Sequence, residues 1–221
     1  MGASGGSVAE TVYIVDDDAN FARGLARLIG AAGWQAQSFA SAADFLARAR
    51  LEDAKPGCVL LDVRMPGMPG PELYRAMLDR KMDIPVIFLT GHGDVPTSVD
   101  AMKLGAVDFL EKPVLGDRLV AAIRVAFRRH EEGRERERER REIESRLESL
   151  TPREREVMAH VVAGRLNKQI AGDLGISIKT VKAHRAKVMQ KMFAKSVAGL
   201  VDQCRDAGLG ATLNPTPPLR A

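Results

Sequence analysis

Two periods of hydrophobic residues run through the first 125 positions. Short apolar, largely β-branched runs occur at Thr11–Val15 (TVYIV), Trp34–Phe39 (WQAQSF), Cys58–Leu61 (CVLL), Pro85–Leu89 (PVIFL) and Ala106–Leu110 (AVDFL). Runs this short, bounded by turn residues, predict five strands. Between them, helical patterns cover Asn20–Ala32, Ala42–Arg50, Pro71–Arg80 and Val95–Leu104, and a fifth begins near Gly116. Strand and helix alternating in this way predict a parallel sheet with helices on both faces.

Beyond that region the pattern changes to helices alone. The segment RRHEEGRERERERREIESRLESL, up to Leu150, predicts a long solvated helical connector, with Gly133 as its weak point. Its Glu/Arg alternation places opposite charges at i,i+3 (Glu135 with Arg138) and like charges at i,i+4 (Glu135 with Glu139), an arrangement less favourable than i,i+4 pairing. Ile143, Leu147 and Leu150 form a short apolar stripe, which leaves open pairing with a second copy. Thr151-Pro152-Arg153-Glu154 then has the residues of a capping box with proline in the first turn. Three more helices are predicted over Asn167–Leu174, Ser177–Met192 and Ser196–Ala207, Gly175 supplying a turn and Ser177 a cap. The expected organisation is therefore a lead at 1–9, an α/β domain at 10–125, a charged helical linker at 126–149, a four-helix domain at 150–209 and a tail at 210–221 with a disordered composition.

Charge sharpens this division. Glu10–Val125 holds 13 Lys+Arg against 16 Asp+Glu, whereas Ala126 onward holds 20 against 13. Arg165–Lys195 alone carries 8 basic residues and one acid, Asp173. An acidic-leaning domain followed by a compact basic patch points to two domains with different partners. The start, MGASGGSVAE, has neither the basic nor the apolar region of a signal peptide, and no apolar run approaches the roughly 18 residues of a membrane span. Cys58 and Cys204 have no metal-ligand or redox spacing and are expected as reduced, buried residues. No membrane partner and a cytoplasmic location are the expectation.

The candidate chemistry lies at the strand ends. In a doubly wound sheet, ligands bind outside the carboxyl ends of the strands. The residues there are Asp16 and Asp17 after the first strand, Asp62 after the third, Thr90 after the fourth and Lys112 after the fifth. If those strands are neighbours, three carboxylates, a hydroxyl and an ammonium converge. Clustered acids repel one another unless a hard cation such as Mg²⁺ relieves them. A carboxylate in that setting can attack phosphorus to form an aspartyl phosphate, with cation and lysine neutralising the moving group.

These residues, set in IVDDD, LLDVRMPGMPG, FLTGHGDV and GAVDFLEKP, resemble the receiver domain of bacterial two-component response regulators over about residues 10–125. The resemblance implies a flavodoxin-like five-stranded parallel sheet of order 2-1-3-4-5. It implies Asp62 as phosphoacceptor, Mg²⁺ held by Asp16, Asp17, Asp62 and the backbone carbonyl of Arg64, and a phosphoryl-binding and switch set of Thr90, Lys112 and Phe109. It also implies a cis bond before Pro113. Phe109 would equally suit a core position, and Asp18 is expected to cap the first helix. Haloacid-type phosphohydrolases also use a strand-end aspartate, but they need a second one two positions on, where this chain has Arg64.

LTPREREVMAHVVAGRLNKQIAGDLGISIKTVKAHRAKVMQKM is similar to the helix-turn-helix of the LuxR/NarL class over about Leu150–Leu209. At about 100° per residue, Val181, Val188 and Met192 of its third helix fall on one side, and Lys179, Lys182, Ala183, Ala186, Lys187 and Gln190 on the other. Small alanines between lysines let a helix enter a groove about 12 Å wide. Lys182, Ala183 and Ala186 are expected near bases, and Lys168, Lys179, Thr180 and Lys187 at phosphates. Arg185 and His184 flank the core stripe, with a packed role and a phosphate contact both open. Val197, Leu200, Val201 and Cys204 share one side of the last helix, a side suited to core, to which the resemblance adds dimer contacts.

Together these readings predict a non-enzymatic, DNA-binding transcription regulator, most similar to the FixJ branch of the NarL family. Its expected partners are a sensor histidine kinase, promoter DNA, RNA polymerase and, on phosphorylation, a second copy of itself. The alternative is a phosphorylation-independent DNA binder whose receiver serves only to dimerise.

Overall fold

The computed structural model describes residues 10–49, 57–91, 105–206 and 208. The chain forms two compact units, Met1–Gly133 and Arg134–Ala221.

In the first unit the elements run β1 (Thr11–Val15), α1 (Ala19–Ala31), β2 (Gln35–Phe39), α2 (Ala42–Arg48), β3 (Gly57–Asp62), α3 (Gly70–Asp79), β4 (Val86–Thr90), β5 (Asp108–Glu111) and the first part of α4 (Gly116–Glu148). All strand pairs are parallel, in the order β2-β1-β3-β4-β5. Alternation along the strands separates the core into two layers, as side chains of successive residues point to opposite faces. Tyr13, Val15, Val59, Leu61, Val86 and Phe88 pack on the face of α2 and α3. Val12, Ile14, Cys58, Leu60, Ile87 and Leu89 pack on the face of α1 and α4. The polar run QAQS of β2 is exposed, in keeping with an edge strand.

The helix expected over Val95–Leu104 lies outside the described residues, as does Arg50. Two strands differ from their expected limits in a way that matters. Strand β3 includes Asp62, and β4 includes Thr90. Backbone pairing continues through these polar residues, Asp62 opposite Leu89 and Thr90 opposite Glu111, because the ladder joins main-chain groups whatever the side chain. Asp62 and Thr90 are thus held by the sheet rather than by loops. Asp18 caps α1, its Oδ1 accepting from the Asn20 and Phe21 N–H groups (2.8 and 3.1 Å).

The second unit holds the rest of α4 with α5 (Pro152–Val162), α6 (Asn167–Leu174), α7 (Ile178–Lys191) and α8 (Val197–Asp206). The Thr151 capping box is complete, with the Glu154 carboxylate accepting the Thr151 N–H (2.9 Å) and the Thr151 hydroxyl accepting the Glu154 N–H (3.3 Å). Gly175 closes α6 at φ 63°, a left-handed position that glycine adopts without a side-chain clash, and Ser177 caps α7 by accepting the Thr180 N–H (3.0 Å). At α6 only half of a capping box exists. The Gln169 side chain accepts the Leu166 N–H (2.9 Å), but Leu166 has no acceptor to return the bond.

The charged stretch shows two features that its alternation alone does not. Its apolar stripe is used within its own unit, with Ile143 and Leu150 buried in the helical core and Leu147 packed against it. Nor are its i,i+4 positions all like-charged. The doubled Arg140-Arg141 shifts the alternation by one, so Glu137–Arg141 (2.9 Å), Arg140–Glu144 (2.6 Å) and Glu142–Arg146 (2.9 Å) pair along the helix. Hydrogen bonds from Arg140 and Arg141 draw the Glu137 carboxyl down to about 2. Gly133 lies inside α4 without interrupting it, and the division between the units falls directly after it. Among the described residues no helix is long and apolar enough to cross a membrane.

Candidate functional site

At the carboxyl ends of β1 and β3 the carboxylates of Asp16, Asp17 and Asp62 each offer an oxygen within 4.8 Å of the others. Asp16 and Asp62 are almost enclosed, at 2% and 7% exposure, while Asp17 faces solvent. Lys112 reaches into this cluster from just beyond β5. Its Nζ donates to Asp16 Oδ2 at 2.7 Å and lies 3.0 Å from Asp62 Oδ1, and it sits 4.4 Å from the centre of the Phe21 ring. The backbone explains the reach. The Lys112 N–H donates to the Thr90 carbonyl (2.8 Å), which carries the β4–β5 pairing one residue past the strand. The Lys112-Pro113 bond is cis.

Burial pushes the Asp62 carboxyl above its ordinary range, Lys112 opposes this, and the charges of Asp16 and Asp17 add to the rise. Burial disfavours the Lys112 ammonium, yet its bonds to Asp16 and Asp62 outweigh burial and raise its pKa. Three carboxylates against one ammonium leave negative charge in a partly desolvated place, the donor set and charge that suit a hard divalent cation. Asp16 is further tied down by the Asp18 N–H, which donates to its Oδ1 at 2.9 Å.

Thr90 ends β4 half-buried, its hydroxyl donating to the Gly91 carbonyl (3.1 Å). Phe109 is half-buried and stacks on Phe88 with ring centres 4.9 Å apart and planes 14° from parallel. Arg64 lies exposed two residues beyond Asp62. Sequence reasoning missed two contributors. Phe21 gives Lys112 an aromatic face, a contact with no local signature. Gly70, the last residue of MPGMPG, lies so close to the Asp62 main chain that a Cβ there would collide with the Asp62 carbonyl oxygen. The glycine of that motif was visible, but its neighbour was not.

The second candidate site is α7 with its surroundings. Val181, Val188 and Met192 are buried, and Lys179, Lys182, Ala183, Ala186, Lys187 and Gln190 are on the opposite, solvent-facing side, all of them exposed. Lys168 is exposed on α6 and Thr180 is half-buried beside the α7 cap. Not every basic residue of the patch faces outward. Arg185 donates to Asn167 Oδ1 at 2.6 Å, joining α7 to the start of α6, and Lys191 bonds to Glu154 within the same unit. On α8 the expected dimer residues divide. Leu200 and Cys204, at 0% and 1% exposure, are inside their own core and offer no surface, because the same stripe that suits a partner also closes the helical bundle. Val197 and Val201 remain half-buried.

Comparison with known proteins bears on both sites. The family model described as response regulator receiver domain matches residues 12–124, and that of bacterial regulatory proteins, luxR family, matches 148–203. The transcriptional regulatory protein FixJ of Bradyrhizobium diazoefficiens is 45% identical over 202 residues, covering 90% of this chain and 96% of its own. The response regulator protein TodT of Pseudomonas putida is 40% identical over 193 residues, covering 87% and 84%. Among solved structures, that of the response regulator StyR has a TM-score of 0.77 at 41% identity and covers 89% of this chain and 98% of its own.

Proposed function

The chain belongs to the response regulators that join a receiver domain to a LuxR-family DNA-binding domain, and we propose that Asp62 is the phosphoacceptor through which a sensor histidine kinase controls binding to promoter DNA. The observation that carries this reading is the convergence of Asp16, Asp17 and Asp62 within 4.8 Å, with Lys112 bonded into the same cluster. In this reading the receiver is residues 10–125, the charged linker 126–149 and the DNA-binding domain 150–209, flanked by 1–9 and 210–221.

Asp16, Asp17, Asp62 and the backbone carbonyl of Arg64 would hold Mg²⁺, whose chemistry when bound is to neutralise phosphoryl oxygens. The protein groups divide the remaining work. An Asp62 carboxylate oxygen attacks the phosphorus of a phosphohistidine, the P–N bond breaks and the imidazole leaves. Lys112, already held against Asp62, neutralises the incoming oxygens, and the Thr90 hydroxyl turns from the Gly91 carbonyl to donate to them. The new charge of roughly −1.5 to −2 biases the surface that carries Thr90 and Phe109 toward a receiver dimer. Two DNA-binding domains then sit on half-sites about 34 Å apart, and RNA polymerase is the next partner. Lys182, Ala183 and Ala186 read bases, Lys168, Lys179, Thr180 and Lys187 hold phosphates, and any dimer contact from α8 uses Val197 and Val201.

The test is to measure mass by light scattering, with and without beryllofluoride and Mg²⁺, and promoter affinity with and without a small-molecule phosphodonor. A doubling of mass and tighter binding are expected, both abolished by Asp62→Asn. A dimeric mass and equal affinity in all states would instead assign the receiver a constitutive dimerising role.

A further inference from the structure

Eight basic residues lie between Arg165 and Lys195, and a polyanion would attract them all. Lys191, in the last turn of α7, is turned to a different use. Its Nζ donates to Glu154 Oε2 at 2.7 Å and to the Ser149 carbonyl at 2.9 Å. Glu154 is 3% exposed and belongs to the cap of α5. Ser149 follows the final turn of α4, where carbonyls lack helical partners and a cation is favoured. Beside this bond, the Arg146 guanidinium of α4 lies 4.9 Å from the ring centre of Phe193, two residues beyond Lys191. The end of the recognition helix is therefore joined both to the cap of α5 and to the end of α4.

A buried carboxylate strongly prefers its partner in place. The bond from Lys191, with that from Thr151, draws the Glu154 carboxyl down to about 2. Two of the three ammonium hydrogens are taken up in this way, and the charge is set against Glu154. Its consequence is directional: a change in the tilt of α7 strains the Lys191 bonds, and a displacement of the last turn of α4 is felt at the same atoms.

Resting on the DNA-binding reading of the second unit, we infer that Lys191 is a positioning residue: it touches no DNA, and through Glu154 and Ser149 it sets the angle at which α7 meets the groove. Salt dependence separates this from a phosphate contact. Removing one lysine–phosphate pair lowers the slope of log K against log salt by about 0.9, whereas a mispositioned helix misses its base edges and leaves the slope in place.

The experiment uses the full-length protein with a duplex of about 30 base pairs, selected from a random pool by the wild type, and an unrelated duplex of the same length. Affinities are measured between about 50 and 300 mM salt for Lys191→Met, Lys191→Arg and, as a phosphate-contact control, Lys187→Ala. Lys191→Met is expected to weaken the selected duplex about 10-fold, with binding to the unrelated duplex and the salt slope unchanged, while Lys191→Arg restores most of the affinity. Should Lys191→Met not fold, as judged by circular dichroism, the Glu154→Gln/Lys191→Met double variant, which buries no unpaired charge, takes its place and is expected to show the same weakening. A slope that falls as in Lys187→Ala, or folded variants that bind the selected duplex like wild type, would overturn the inference. A wild type that selects no duplex at all would instead overturn the DNA-binding reading.

Discussion

The strand-end pocket and the face of α7 treat like charges in opposite ways. In the pocket, Asp16, Asp17 and Asp62 are gathered within 4.8 Å, two of them nearly enclosed, and a single ammonium bridges the buried pair. On α7, Lys179, Lys182 and Lys187 are spread along an exposed surface. Gathering acids out of water is costly, and the raised Asp62 carboxyl is its local sign. A hard divalent cation would relieve that crowding, so the pocket is built for a charge it does not itself supply. Dispersed lysines are stable alone and act at a distance on a polyanion. Charges placed for chemistry are crowded and buried, and charges placed for long-range attraction are exposed and apart.

The sharpest way to break that contrast is to remove the bridge. Lys112→Met leaves Asp16 and Asp62 buried together without a counter-charge, and a loss of about 3 kcal/mol in receiver stability is expected in urea unfolding without Mg²⁺. Adding Mg²⁺ should recover more stability in this variant than in wild type. Equal stability with and without Lys112 would show that the acids are not crowded in solution.

A smaller effect is expected where a buried acid has its partner. The folded Glu154 carboxyl is drawn down to about 2 from an ordinary 4.5. Its depressed pKa means that its stabilisation is present above about pH 4.5, is lost as pH falls toward 2, and is absent below that. Acid titration of the second unit, followed by circular dichroism, should show this loss, and Glu154→Gln should flatten it. The neutral-pH cost of that substitution is roughly 1–2 kcal/mol, since the partly exposed Lys191 is screened by solvent. The smallest change is a gain. Leu166→Ser would complete the half-formed box at α6 and raise stability by about 0.5–1 kcal/mol, read as a higher thermal midpoint.

Much of the site was legible because its residues sit at the ends of recognisable strands. IVDDD, VLLD and IFLT each show an apolar run meeting a polar residue, and a parallel sheet brings such ends to one edge. Phe21 beneath Lys112 and Gly70 beside the Asp62 carbonyl were not legible, for each is defined only by a neighbour distant in sequence. Likewise Leu200 and Cys204 showed an apolar stripe, but a stripe does not state whether its partner is the same chain or another.

By itself the sequence determined the alternation of strands and helices, the caps at Asp18, Thr151 and Ser177, and the outward face of α7. These follow from periodicity and short-range hydrogen bonding, which span a few residues. Only the tertiary structure decided that Lys112 serves both Asp16 and Asp62, that Ile143 and Leu150 belong to a core, and that Arg185 and Lys191 turn toward their own chain. Those choices depend on sheet register and helix packing, which set distances between residues that no local pattern connects.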